Sequence, residues 1–159
     1  MGSTEEKPKL ASAIITAGLI AGTLDILSAF TLVFTRTGKN PIIVLNYISS
    51  AIFGKQTAYS GGALMSAIGL LMHYMIAFGW AILFFLLFPK FRLLRFNKIV
   101  VGLFYGIFVW TMMNLVLVPM TLIPPSPFNV TNAVTNVIIL MVAIGLPISI
   151  LASRYFSRL

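Results

Sequence analysis

Beyond its first nine residues this sequence has one acidic side chain, Asp25, and one histidine, His73. Both fall inside long apolar stretches. A charge placed there costs about 2.5–3.5 kcal/mol on insertion scales, so protonation, a partner or water must offset it. Burial raises the pKa of a carboxyl group, and an imidazole titrates near neutrality. Together the two have the chemistry of a proton or cation site, with His73 as the hydrogen-bonding or proton-sharing partner of Asp25.

The spacing brings them to similar depths. At 1.5 Å per residue, Asp25 lies about 22 Å from the start of its stretch, and His73 about 17 Å from the opposite end of its own. In an apolar layer about 30 Å thick these levels agree to within a turn or two. Asn114, on a third stretch, reaches a similar or slightly outer level. Asp25, His73 and Asn114 therefore form the predicted polar site. Asn129, Asn132 and Asn136, at i, i+3 and i+7 on a fourth stretch, form a secondary polar face. The alternative is structural: such side chains tie helices together by hydrogen bonds, and the asparagines cap the fourth helix.

Other chemistries lack their residues. The chain has no Cys, which excludes disulfides, thiolate zinc sites and iron–sulfur ligation. One histidine cannot supply the paired histidines of a membrane metalloprotease. One carboxylate cannot hold the metals of lipid phosphotransfer. No glycine-rich phosphate loop or GxSxG elbow is present. The sequence predicts no catalytic residues, no metal and no cofactor; a lipid-active enzyme is the lesser alternative.

The elements that carry these residues follow from hydropathy. The 159 residues are 59% hydrophobic and 9% charged, against about 25% charged in ordinary soluble domains. Only lipid can solvate so much apolar surface. The prediction is all-α: a polytopic membrane protein with a polar tail at 1–9 and a single transmembrane domain at 10–159. It forms a four-transmembrane-helix bundle with spans at about 10–34, 62–88, 99–118 and 133–153. The first span is longer than the apolar region of a signal peptide, about 7–15 residues. Pro89 is expected to end the second span and Pro119 to bend or end the third. Pro124, Pro125 and Pro127 prevent helix beyond it, and Pro147 should kink the fourth. Residues 41–53, PIIVLNYISSAIF, are too short to span. Asn46, Ser49 and Ser50 share one face there, which predicts a short interfacial helix, with a re-entrant segment as the alternative.

Helices in lipid associate through close backbone approach at small residues and through polar contacts. Gly18 and Gly22 (beside Ala17 and Ala21), Gly102 and Gly106, and the stripe Ser66, Gly69, His73, Ala77 and Trp80 mark three inward faces. AGLIAG at 17–22 and VGLFYG at 101–106 repeat one pattern. Trp80 and Trp110 are read as packed in the core. Phe91, Phe96, Tyr155 and Phe156 are read as interface anchors.

The net charge is +8. The cations sit between spans rather than along one face, so anionic lipid headgroups, not nucleic acid, are the predicted partners, together with a possible homo-oligomer. Eight basic residues (Lys7, Lys9, Lys90, Arg92, Arg95, Lys98, Arg154 and Arg158) fall on one side of a four-span topology. Arg36, Lys39 and Lys55 fall on the other. The positive-inside rule then places both termini in the cytoplasm.

Three patches resemble the YagU-like bacterial inner-membrane proteins. They are His73 to Pro89-Lys90, Gly102 through Pro119 to Pro124-Pro125, and GLIAG at 18–22, about half the chain together. The resemblance implies a bacterial cytoplasmic membrane and a compact helical bundle. It carries no mechanism, since the family is largely uncharacterised. His73 belongs to the shared pattern and Asp25 does not, and members have a larger loop after the first span. The expected function is proton-linked transport or permeation through the polar cluster. The alternative is a structural or accessory subunit packed against a partner complex.

Overall fold

A computed structural model describes residues 9–91 and 96–158. The elements are α1 (Leu10–Thr37), α2 (Ile43–Ser60), α3 (Gly62–Lys90), α4 (Lys98–Met120) and α5 (Val130–Phe156). No strand occurs among the described residues. All but α2 are long and apolar enough to cross a membrane, so the chain is a multi-pass, all-α bundle of four spanning helices. Arg92 and Arg95, and Lys7 with the rest of the tail up to residue 8, lie outside the described residues.

Helix ends follow local chemistry. Asn97 and Asn129 cap α4 and α5 by accepting from the backbone N–H groups of Ile99 and Asn132, each at 2.9 Å. The cap at Asn129 starts α5 three residues before the predicted position. α1 runs past residue 34 to Gly38, whose left-handed φ of 65° lets its N–H close the helix on Phe34. α3 continues through Pro89 to Lys90. A proline in the last turn forfeits one backbone bond where few remain to lose.

Prolines in the other spans are accommodated by wider turns. The π-helical segments Met113–Leu117 and Met141–Gly145 each end two residues before a proline, Pro119 and Pro147. The proline ring crowds the carbonyl four residues earlier, here Leu115 and Ala143, and the π turn gives that carbonyl room.

α2 is longer than the predicted 41–53 and consists of two pieces joined at Gly54, where φ is 74° and ψ is 160°. That backbone conformation is essentially closed to residues with a Cβ. The first piece packs on α3. The Leu45 backbone fills the space a side chain at Gly69 would need, and Ser66 donates to Asn46 Oδ1 at 2.7 Å. Ser49 and Ser50 are buried, whereas Ile52 and Phe53 face outward. The polar side of α2 thus meets protein rather than water. Leu122, after α4, donates its N–H to the carbonyl of Ala51 at 3.0 Å and ties the segment after α4 to α2.

The bundle is held at its glycines. Phe78 occupies the space beside Gly18, and the Tyr74 ring and Ala77 lie 3.0–3.1 Å from where a Cβ of Gly22 would sit. α4 and α5 touch backbone to backbone: Gly106 lies on Met141 and Gly102 on Gly145. α3 and α4 instead meet through aromatic rings, with Phe84 and Tyr105 centred 4.6 Å apart and Trp80 and Phe108 6.0 Å apart. At the end bearing both termini, Phe156 stacks on Phe88 at 5.0 Å and Tyr155 packs on Phe85. Tyr155 and Phe156 therefore close the bundle core as well as marking its edge. Phe91 and Phe96 remain exposed.

Candidate functional site

The centre of the α1–α3 seam is polar because Gly22 exposes its backbone. His73 Nε2 lies 2.8 Å from the Gly22 carbonyl oxygen. A carbonyl only accepts, so this nitrogen carries the proton. His73 is buried, and Tyr74 packs edge-on against it at 5.5 Å. The Tyr74 hydroxyl in turn shares a 2.8 Å hydrogen bond with Thr23. Two adjacent residues of α1 and two of α3 are thus stitched across one helical turn. Neither Thr23 nor Tyr74 stands out in the sequence, where each is an ordinary residue of an apolar span.

Asp25 lies one turn beyond Gly22 toward the end away from the termini. It is partly buried, and among the described residues its carboxyl has no hydrogen-bond or ion-pair partner. It lies within electrostatic range of His73 without touching it. The second ring nitrogen of His73 likewise has no hydrogen-bond partner among the described residues. The α1–α3 contacts at Gly18, Gly22 and Thr23 all sit at or toward the termini from His73. Farther out, α3 offers Ser66 and Gly69 to α2 instead. Beside Asp25, but not lined by it, a shallow and mostly apolar groove of about 410 Å³ runs along α1 between Leu24, Leu27, Ser28, Thr31, Leu32 and Thr35, with Ile139 on its other side. Its hydroxyls bond back to their own helix, at Leu24, Leu27 and Thr31.

Asn114 does not join this cluster. It is exposed, lies in the π segment of α4 and donates to the Trp110 carbonyl of its own helix at 3.0 Å. The reason is partnership: the glycines of α4 seat it on α5, so a matching depth does not bring Asn114 to α1. Trp110 itself is half-buried, and its buried indole N–H has no acceptor.

The three asparagines of α5 have three different roles. Asn129 is the cap. Asn132 Oδ1 accepts from Arg36 Nη1, and Arg36 Nη2 donates to Thr135 Oγ1 at 2.9 Å. Asn136 is exposed and makes no side-chain hydrogen bond. Arg36 is the residue that charge counting alone misses. A guanidinium at the last turn of one span and Asn132 with Thr135 at i and i+3 of another are matching halves of a fork, visible in sequence only once the helices are known to be neighbours.

Among the described residues, no three His, Cys, Asp or Glu side chains converge as a metal site would need. No protein-family model, curated protein or solved structure matches the chain.

Proposed function

We propose that this chain is a small proton-linked transporter or permeation protein in which Asp25 is the proton-exchanging group. The observation that carries the reading is Asp25 itself: a carboxyl within a spanning helix, without a hydrogen-bond or ion-pair partner among the described residues, and within electrostatic range of a histidine to which no hydrogen bond joins it. An intramembrane carboxyl of this kind marks an ion or proton pathway by default. The gap between Asp25 and His73 leaves each with unused hydrogen-bonding capacity that a water or a cation can meet. Beyond Asp25 on α1, Ser28, Thr31 and Thr35 keep hydroxyl oxygens able to accept hydrogen bonds along a path from the end away from the termini. Access from the other end is closed by the glycine contacts and the aromatic plug, so exchange to that side requires either movement of α1 or a second copy beside it. The reading places the protein among YagU-like proteins of a bacterial cytoplasmic membrane, both termini cytoplasmic, without catalytic chemistry or cofactor. Purified protein in liposomes tests it: imposed gradients should drive proton uptake by the wild type and by Asp25→Glu, and not by Asp25→Asn. Equal uptake by all three would end the assignment.

A second reading has its own observation. Asn114 and Asn136 both present exposed amides on the outer halves of α4 and α5, where lipid offers them no hydrogen bond. Such amides suit contact with a partner helix, as in an accessory subunit. Isolation of the protein from its native membrane in mild detergent distinguishes this reading: it requires a stable partner that Asn114→Leu with Asn136→Leu releases.

A further inference from the structure

We propose that the seam between α3 and α4 is a binding site for one anionic phospholipid, its acyl chain in the seam and its phosphate on Lys90 and Lys98. Because α3 and α4 meet through rings rather than through backbone, they leave a groove of about 410 Å³, with Phe84, Leu87, Phe91, Val101, Phe104 and Phe108 in its wall. From Val101 to Phe108 it follows α4 for about 10 Å. The wall asks for no polar ligand, because the one hydroxyl in it, that of Tyr105, already donates to the Trp80 carbonyl at 2.6 Å. Phe104 is 68% exposed, and none of the described residues covers it.

The rim supplies the opposite chemistry. Lys90 ends α3 and Lys98 begins α4; both are exposed, and in sequence they lie next to Phe91 and near Phe96, which line this end of the groove. The N-terminus of α4 adds its helix dipole to the charge of Lys98. No carboxylate side chain follows Asp25 in the sequence, so no acidic neighbour on these helices can neutralise the two lysines. A ligand with an apolar chain about a groove in length and an anion at its head matches both parts. In a membrane that description selects an anionic phospholipid over a zwitterionic one. The proposal is independent of Asp25.

Trp80 reports on this seam through its contact with Phe108. In Trp110→Phe, where Trp80 is the remaining tryptophan, brominated phosphatidylglycerol should quench fluorescence several-fold more effectively than brominated phosphatidylcholine at equal mole fraction. Lys90→Gln with Lys98→Gln should cut that difference several-fold, Arg92 and Arg95 of the same stretch keeping their charge, while Lys90→Arg with Lys98→Arg should retain it. Equal quenching by the two lipids, or a preference undiminished by loss of both lysines, overturns the proposal. Quenching by neither lipid means that protein, such as a second copy, covers the groove, and also overturns it. If Trp110→Phe does not fold, native mass spectrometry of the wild type decides. Retained phosphatidylglycerol that the glutamine pair loses supports the site, and its absence from the wild type excludes it.

Discussion

His73 hydrogen-bonds a backbone carbonyl of a neighbouring spanning helix, that of Gly22, at 2.8 Å. The bond exists because Gly22 has no side chain to hold α3 away. It makes His73 an element of packing as well as the neighbour of Asp25, and the two roles separate experimentally.

Replacing His73 by Ala should weaken the α1–α3 pairing by about 0.6–1.7 kcal/mol, the range of interhelical hydrogen bonds measured in membranes. His73→Gln, which keeps a donor, should recover part of the loss. Reversible unfolding in mixed micelles measures both. A His73→Ala protein as stable as the wild type would show that the bond contributes nothing.

Glycines with identical helix propensity should differ sharply. At Gly106 a new methyl group meets the Met141 backbone, which cannot yield, whereas at Gly79 it meets nothing within 4 Å. Gly106→Ala should therefore cost several kcal/mol or prevent folding, as overpacking of about 1–3 kcal/mol or more does elsewhere. Gly79→Ala should be neutral or stabilising by up to about 1 kcal/mol. Thermal denaturation in detergent ranks the two.

Much of this was legible in the sequence. Hydropathy located the spans because solvation by lipid leaves a signal in every residue. Gly18, Gly22, Gly102 and Gly106 announced close approach by their spacing of four. Depth also placed Asn114 beside Asp25, and there the inference failed, because rise per residue gives level but not which helices are neighbours. The π turns before Pro119 and Pro147 answer those prolines locally, in place of the kink or stop the sequence predicts. The break at Gly54 uses a backbone conformation only glycine adopts, with nothing within 4 Å of where a Cβ would sit. The residues mark where each irregularity falls, but not that a π turn rather than a kink results. Gly145 and Ser149, four residues apart, form a third such pair that glycine spacing alone overlooks: Gly145 lies on the Gly102 backbone and Ser149 donates to the Lys98 carbonyl at 2.7 Å.

Arg36 should act as a clasp between the far ends of α1 and α5. Arg36→Gln removes the fork that holds Asn132 and Thr135. Amide exchange of the first turns of α5 should then accelerate several-fold, with exchange in the α1–α3 seam unchanged. Arg36→Lys should behave nearly as Arg36→Gln, since one ammonium cannot reproduce two directed N–H donors. Unchanged exchange in α5 would remove the clasp from the account.

Asn129→Ala removes the cap of α5 and should cost about 1 kcal/mol. The loss should appear as fraying of residues 130–133 in hydrogen exchange, with the α4–α5 glycine contacts intact. Uniform loosening of α5 would mean that the cap governs more than the first turn.

The central claim is that Asp25 exchanges a proton while the protein sits in lipid. The chain has only three acidic side chains, Glu5, Glu6 and Asp25, so infrared difference spectroscopy can isolate it in a Glu5→Gln, Glu6→Gln background. The account predicts a protonated-carboxyl stretching band in bilayers that disappears as pH is raised and is absent from Asp25→Asn. Difference spectra identical with and without Asp25 across the whole pH range would contradict it.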